Sequence, residues 1–427
     1  MSPSYPRRSM RQGTRTNEFC NCDAAPRGFF VTHAMFSKRT NWDLEENAYA
    51  RALRRHREAG KRILDLTASN PTTCGFQYDE AAILDALRDP ASLRYEPEPK
   101  GMPAARAAVA SYYAGKGLEV DPDQLILTTG TSEAYSFLFR LLCEPGDEVL
   151  IAHPSYPLFD FLATIQDVKL RPFQIVYDHG WQIDFHSLQQ ELGARTKAIV
   201  VVHPNNPTGH FVGVEEAEQL DAICAKHGLA LIVDEVFLDY EMKAAATHKK
   251  RHGTFASNAA ALTFVLSGLS KIAALPQMKL GWIAASGPAA QVGEAMARLE
   301  VIADTYLSLN APMQHALPAL LAERNAMQKQ IMARTEANLA ELDKQLARQK
   351  LVSRLEVEGG WYAVLRVPAV QSDEELAVQL LEERGVLVHP GHFYDFADNG
   401  YLVISLLTAA NEFAEGAREL LACASGL

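Results

Sequence analysis

The 427-residue sequence predicts an α/β fold. The expectation is a large domain on a mostly parallel, seven-stranded-type sheet covered by helices. A smaller α+β domain is expected from the C-terminal part and an N-terminal helix. Three observations predict this. From Gln124 to Gly268 near-continuous apolar runs alternate with amphipathic helical stretches, the mark of strands buried on both faces. Beyond about residue 310 that alternation gives way to one long helical stretch and then irregularly spaced strands and helices. The length also exceeds what a single core organises, so two domains in one compact unit are expected.

Taken in order, residues 1–34 carry Arg7, Arg8, Arg11, Arg15 and Arg27 and two acidic residues, with no apolar run of the signal-peptide type. They read as a disordered extension upstream of a start at Met35. Residues 35–70 are an arm and helix that join the small domain; from Trp42 to Gly60 charged and apolar residues alternate at helical spacing. Residues 71–309 form the large domain. After RILDLT and the loop ASNPTTCGF come helices near Asp79–Arg88 and Pro103–Ala114, separated by YEPEPKG. Then follow the strands QLILTTG, EVLIAHP, VKLRPFQI, KAIVVVHP, LALIVDE and LTFVLSG, with helices between them, one of them from Tyr156 to Ile165. Residues 310–427 form the small domain: a helix from about Ala311 to Lys350, the strands SRLEVE and WYAVLRV, a helix at Asp373–Arg384, VLVHP, the strand YLVISLL and a closing helix.

Hydrophobic content of 48% with 22% charged residues is that of a globular enzyme. The net charge of -11 argues against nucleic acid or an anionic membrane as partner. No apolar run reaches the length of a membrane span. The six scattered cysteines form no CxxC pair, so reduced thiols in a cytoplasmic protein are expected, and no metal site is indicated.

In doubly covered sheets ligands sit at the carboxyl ends of the strands. The polar signatures lie at those ends: Gly130-Thr131-Ser132, Pro154-Ser155-Tyr156, Asn205-Asn206-Pro207-Thr208-Gly209, Asp234 and Lys271. A glycine and two hydroxyls opening a helix offer donors to a phosphate, although many helices simply begin with such caps. A carboxylate ending an apolar strand is costly unless paired, and can hold a protonated pyridine nitrogen. A lysine after a strand and a Ser/Gly turn is a nucleophile when burial lowers its pKa. Tyr156 suits stacking on a flat ring as well as packing. Asn206 suits a turn as well as donation to a ring hydroxyl.

Together, TTGTSEA, HPSYP, PNNPTG, DEVF and SGLSK, in this order and spacing, resemble the class I/II aminotransferases, fold-type I enzymes that use pyridoxal 5'-phosphate. The resemblance spans Leu64 to Leu406. It implies that Lys271 carries the cofactor as a Schiff base and moves the substrate proton, with Asp234 and Tyr156 as the other catalytic groups. Asp234 would pair with the ring nitrogen, Asn206 with the ring hydroxyl, and Tyr156 would stack. Gly130, Thr131, Ser132, Ser270 and Lys279 would hold the phosphate. Phe237 would lie beside the ring, and Tyr95 would reach the phosphate of a second copy in a homodimer with shared sites.

Three departures stand out. The family's tyrosine three residues after the aspartate is Phe237 here, which predicts a raised Schiff-base pKa. The phosphate-binding arginine is Lys279, which keeps charge and loses bidentate geometry. The arginine that clamps a substrate α-carboxylate falls at Val403, and no arginine occurs between Gly385 and Ala417. Asn70, Asn206, Arg366 and the pair His389 and His392 are the candidate substrate-binding groups in its place. The expected function is amino transfer between an amino acid or amine donor and a 2-oxo acid. Alternatives are a carbon–sulfur lyase or decarboxylase on the same scaffold and, with less support, a ligand-sensing module.

Overall fold

The computed structural model describes residues 35–243, 250–307 and 309–424. The expectation for residues 1–34 lies outside the described residues. Helix α1 (Ala48–Glu58) starts only where the Asn47 side chain caps the Ala50 N–H, so it is shorter than the stretch from Trp42 to Gly60 that the sequence pattern suggests. It leads to β1 (Leu64–Asp65), then to α2 (Glu80–Ala86) and α3 (Pro103–Ala114), whose first residue is a proline.

The large sheet follows. β2 (Leu125–Thr128) enters α4 (Thr131–Leu142); β3 (Glu148–His153) precedes α5 (Phe159–Ile165); β4 (Lys169–Tyr177) turns into β5 (Trp181–Ile183) and α6 (Phe185–Glu191). β6 (Thr196–Val202), α7 (Val214–His227) and β7 (Ala230–Asp234) come next, followed by β8 (Thr263–Gly268), α8 (Leu269–Ile272), β9 (Gly281–Ser286) and α9 (Ala289–Tyr306). The strand order is β2-β9-β8-β7-β6-β3-β4-β5. Pairings from β8 through β4 are parallel, whereas β9 runs antiparallel between β2 and β8, and β5 is a hairpin strand at the edge. Sequence pattern named neither β5 nor β9. β5 is only three residues long, and β9 (GWIAAS) is rich in small residues of low strand preference that pairing on both sides holds extended. Helix α5 begins at Phe159 rather than Tyr156, leaving Pro154–Leu158 as a loop.

Successive strand residues alternate between two cores. Leu231 and Val233 face one with Ile199 and Val201, while Ile232 faces the other with Ala198 and Val200. Burial on both faces is the reason the strands read as unbroken apolar runs. Helix α10 (Ala311–Leu346) contributes Met313 to Ile331 to the large core and Leu339 and Leu342 to the small one. The small domain holds β10 (Ser353–Arg354), β11 (Tyr362–Arg366), α11 (Asp373–Arg384), β12 (Val386–Leu387), β13 (His389–Pro390), β14 (Tyr401–Ser405) and α12 (Ala410–Ala424). Its antiparallel sheet is ordered β10-β11-β14-β13, and β1 pairs in parallel with β12, which brings the N-terminal segment into this domain.

Candidate active site

The site gathers at the carboxyl ends of β7 and β8, which are adjacent strands. Asp234 ends β7. It is buried; its Oδ2 accepts from the Tyr135 hydroxyl at 3.2 Å and its Oδ1 from the Val236 N–H at 3.1 Å. Burial raises its pKa to about 6, against the lowering effect of those two donors and of Lys271. Lys271 is the third residue of α8, a single turn that leaves β8, so its amine is delivered to the strand end. The amine lies 4.8 Å from the Trp361 ring centroid and 5.5 Å from that of Phe237. Removal from water lowers its pKa to about 8, with Asp234 pulling the other way. The Tyr240 hydroxyl donates to the Lys271 carbonyl at 2.6 Å and fixes the turn.

Asn206 is buried, and its Oδ1 has no hydrogen-bond partner among the described residues. The Trp361 indole N–H and the Ser155 hydroxyl are likewise buried without one. Natural proteins seldom leave such groups unsatisfied, so these three, Trp361 among them beside the Lys271 amine, suit a polar ligand. Trp361 reaches this place on a strap stitched to the large domain: Met242 N–H donates to Glu358 O and Gly360 N–H to Tyr240 O, each at 2.8 Å. A side chain on Gly359 would come within 2.8 Å of the Tyr240 carbonyl oxygen, so the approach requires glycine.

Gly130 precedes α4, with Thr131 and Ser132 in its first turn, where no side chain caps the helix. These N–H groups have no intrahelical acceptor and carry the positive end of the helix dipole. Gly130, Gly268 and Gly281 meet backbone to backbone: a Cβ on Gly268 would lie 2.8 Å from Gly281 Cα, and one on Gly281 3.0 Å from Gly130 Cα. Ser270 is half-buried in α8, and Lys279 is exposed in a left-handed conformation just before β9. Tyr156 sits in the loop before α5 and is 43% exposed. Phe237 is buried against Trp361 at 5.2 Å between ring centroids.

The other candidates lie apart or carry other roles. Asn70 caps the short helical turn Pro71–Thr73, accepting from the Thr72 hydroxyl at 2.8 Å. Tyr95 projects from an exposed loop, 79% accessible. Arg366 is at the far end of β11, exposed, donating to the Tyr401 hydroxyl at 3.2 Å; strand rise puts it roughly 13 Å along from Tyr362. His392 lies against Phe393 and in the field of Asp373 at the start of α11. His389 stands opposite Val403, its Nδ1 3.0 Å from the Tyr394 hydroxyl. Sequence reasoning missed Tyr135, Trp361, Tyr362 and Tyr394. Tyr135 alone carried a signal, its spacing of four residues from Thr131 on one helix.

Residues 40–415 match the model of the family described as aminotransferase class I and II. The chain belongs to that family and is an aminotransferase. Glutamate-pyruvate aminotransferase AlaA of Haemophilus influenzae is 27% identical over 390 residues, covering 89% of this chain and 94% of that protein. Alanine aminotransferase of Mycobacterium bovis is 28% identical over 372 residues, covering 84% and 85%. Among solved structures, alanine aminotransferase from Pyrococcus furiosus superposes with a TM-score of 0.82 at 23% identity over 92% of this chain and all of that one, a likeness of fold. Family membership implies pyridoxal phosphate as cofactor. Among the described residues no helix is long and apolar enough to cross a membrane.

Proposed function

We propose that this chain exchanges an amino group between an amino acid or amine donor and a 2-oxo acid by a ping-pong route, with pyridoxal 5'-phosphate attached at Lys271. The observation that carries the reading is the pairing of a desolvated lysine amine with a buried carboxylate across adjacent strand ends. The residues present suit the cofactor. Asn206 offers a buried amide with an unpaired atom to the ring hydroxyl, and Asp234 a carboxylate to the ring nitrogen. Tyr156 offers a face, while Gly130, Thr131, Ser132, Ser270 and Lys279 offer N–H, hydroxyl and ammonium donors to the phosphate.

When bound, the cofactor supplies an electron sink for charge developing at the substrate's amine-bearing carbon. The chain does the rest. Lys271 Nζ, part neutral near pH 8, would take the proton from that carbon in the first half-reaction and deliver one to the oxo acid's carbonyl carbon in the second. Asp234, steadied by Tyr135 and the Val236 N–H, would hold positive charge on the cofactor's ring nitrogen. Phe237 and Trp361 keep water from the amine. The names of the relatives support amino acids and 2-oxo acids as substrates. We take the molecule as a cytoplasmic homodimer.

The test is an absorption spectrum of the purified, cofactor-loaded chain before and after adding donors, with product analysis. Conversion to the pyridoxamine form with release of the donor's carbonyl product is expected. Ammonia with pyruvate, or carbon dioxide, would reassign the chain to lyase or decarboxylase chemistry. Lys271→Ala is expected to lose at least about a thousandfold in rate.

A further inference from the structure

We propose that the small-domain wall of this site is an uncharged clamp, formed by Tyr362, Tyr394 and His389 around Val403. It favours amino donors with a neutral group, such as a carboxamide, on the amine-bearing carbon over donors with a carboxylate there. The inference rests on the aminotransferase reading and names its donor class.

The geometry is direct. Tyr362 follows Trp361, and its ring centroid is 6.4 Å from that of Phe237, whose ring lies under the Lys271 amine. Across the small sheet Val364, Val403 and His389 stand in one register row, so their side chains share the face that Tyr362 occupies. Val403 and Val364 pack in the core of the large domain, whereas Leu402 and Ile404 pack in the small one, which fixes the direction of that face. Val403 is wholly buried. The third element is the turn Gly391–Tyr394, whose Tyr394 hydroxyl meets His389 Nδ1 and whose carbonyl accepts from the Ser155 N–H at 2.8 Å.

Among the described residues, no lysine or arginine lies on this stretch of wall. Burial takes the His389 pKa down to about 4, so the imidazole is neutral, and burial holds the Tyr362 and Tyr394 hydroxyls protonated. Arg366 shares the face but sits at its far end on Tyr401. Arg334 of α10 lies over the Phe76 ring and donates to the Cys74 and Leu407 carbonyls at 3.4 and 3.2 Å. A carboxylate entering here would lose hydration with no countercharge on this wall. A carboxamide has both donors and an acceptor, as phenol and imidazole do, and carries no such penalty.

The transfer balances without another reagent. The donor's carbon–nitrogen bond is replaced by a carbonyl whose oxygen comes from water, so that carbon loses two electrons and one proton to the site, and in the second half-reaction the oxo acid's oxygen leaves as water. The oxo acid's carbonyl carbon gains the amine, two electrons and a proton. A 2-oxo acid meets the same wall, so its KM is expected to be high.

The cofactor-loaded full chain would be mixed separately with L-alanine and L-phenylalanine, their carboxamides and their decarboxylated amines. The second-order rate of loss of the cofactor band is the readout. Each carboxamide is expected to react about tenfold or more faster than its parent acid. A parent acid that reacts as fast as its amide, or faster, overturns the inference while leaving amino transfer intact; loss of that reaction in Arg334→Gln would then identify the carboxylate's partner. A loaded chain that converts no member overturns the aminotransferase reading and this inference with it. Val403→Arg, where it retains the cofactor band, is expected to reverse the preference; an unchanged ratio would remove the neutral wall as its cause.

Discussion

At the scale of single residues, the site is two ionisable groups held at a cost. Asp234 is raised to about 6 and Lys271 lowered to about 8, so at neutral pH each bears a charge that burial disfavours. Between pH 3.8 and about 6 the folded chain binds more protons at Asp234 than the unfolded chain, and stability falls as pH rises through that window. Lys271 acts in the reverse sense: stability present above its ordinary pKa of 10.5 is lost as pH falls through about 8. Asp234→Asn should therefore raise the melting temperature of cofactor-free protein at pH 7, with the gain vanishing below pH 4, while activity drops about a hundredfold. A calorimetric pH series on both chains checks it; a variant less stable at pH 7 would refute the account. Tyr135→Phe removes one of the two donors to Asp234, so its carboxyl pKa should rise further and turnover fall by roughly tenfold. The acid limb of the pH–rate profile would move to higher pH. Asp234 and Lys271 were legible in the sequence because each breaks a local rule, a charge at the end of a buried strand. Tyr362 and Trp361 broke none, and only the folded strap places them.

At the scale of elements, the phosphate end of the site depends on three glycines from three segments. Gly130, Gly268 and Gly281 bring the ends of β2, β8 and β9 so close that a Cβ on Gly268 or Gly281 would strike backbone atoms. The neighbours are backbone atoms, which cannot rotate away. Gly268→Ala and Gly281→Ala should each cost about 1–3 kcal/mol in urea unfolding and weaken cofactor binding more than substrate binding. Gly253, where an added Cβ would meet nothing within 4 Å, serves as the control that should tolerate alanine. The long alternation of apolar runs made most of the sheet legible, since burial on both faces leaves a strong pattern. β9 escaped because Ala and Ser line its tight packing against β2 and β8, and its sequence advertises no strand. Tyr156 was expected on a helix; the structure puts it in the loop that reaches the small domain through Ser155 and Tyr394.

At the scale of the whole molecule, α10 runs through both cores, and Asn338 on it donates to the carbonyls of Leu406 and Thr408 at 2.9 and 2.8 Å. The helix thus ties the Val403 strand to the large domain. A second feature is an exposed apolar surface around Tyr95. Leu93 is 91% exposed, Tyr95 79% and Leu307 55%, and Tyr95 and Leu307 line one cleft with Met102 and Leu127. Apolar exposure on this scale suits a protein interface. If two copies close over it and each lends Tyr95 to the other's phosphate, defects in different residues should complement. Lys271→Ala chains are inactive, and Tyr95→Ala chains are expected to bind cofactor about tenfold more weakly. Unfolded together and refolded, half of the dimers are hybrids, and one site in each hybrid combines an intact Lys271 with an intact Tyr95. At limiting cofactor the mixture should recover about a quarter of wild-type activity. A mixture no more active than the Tyr95→Ala chains it contains would show that each site is built from one chain, and Tyr95 would lose its assigned role.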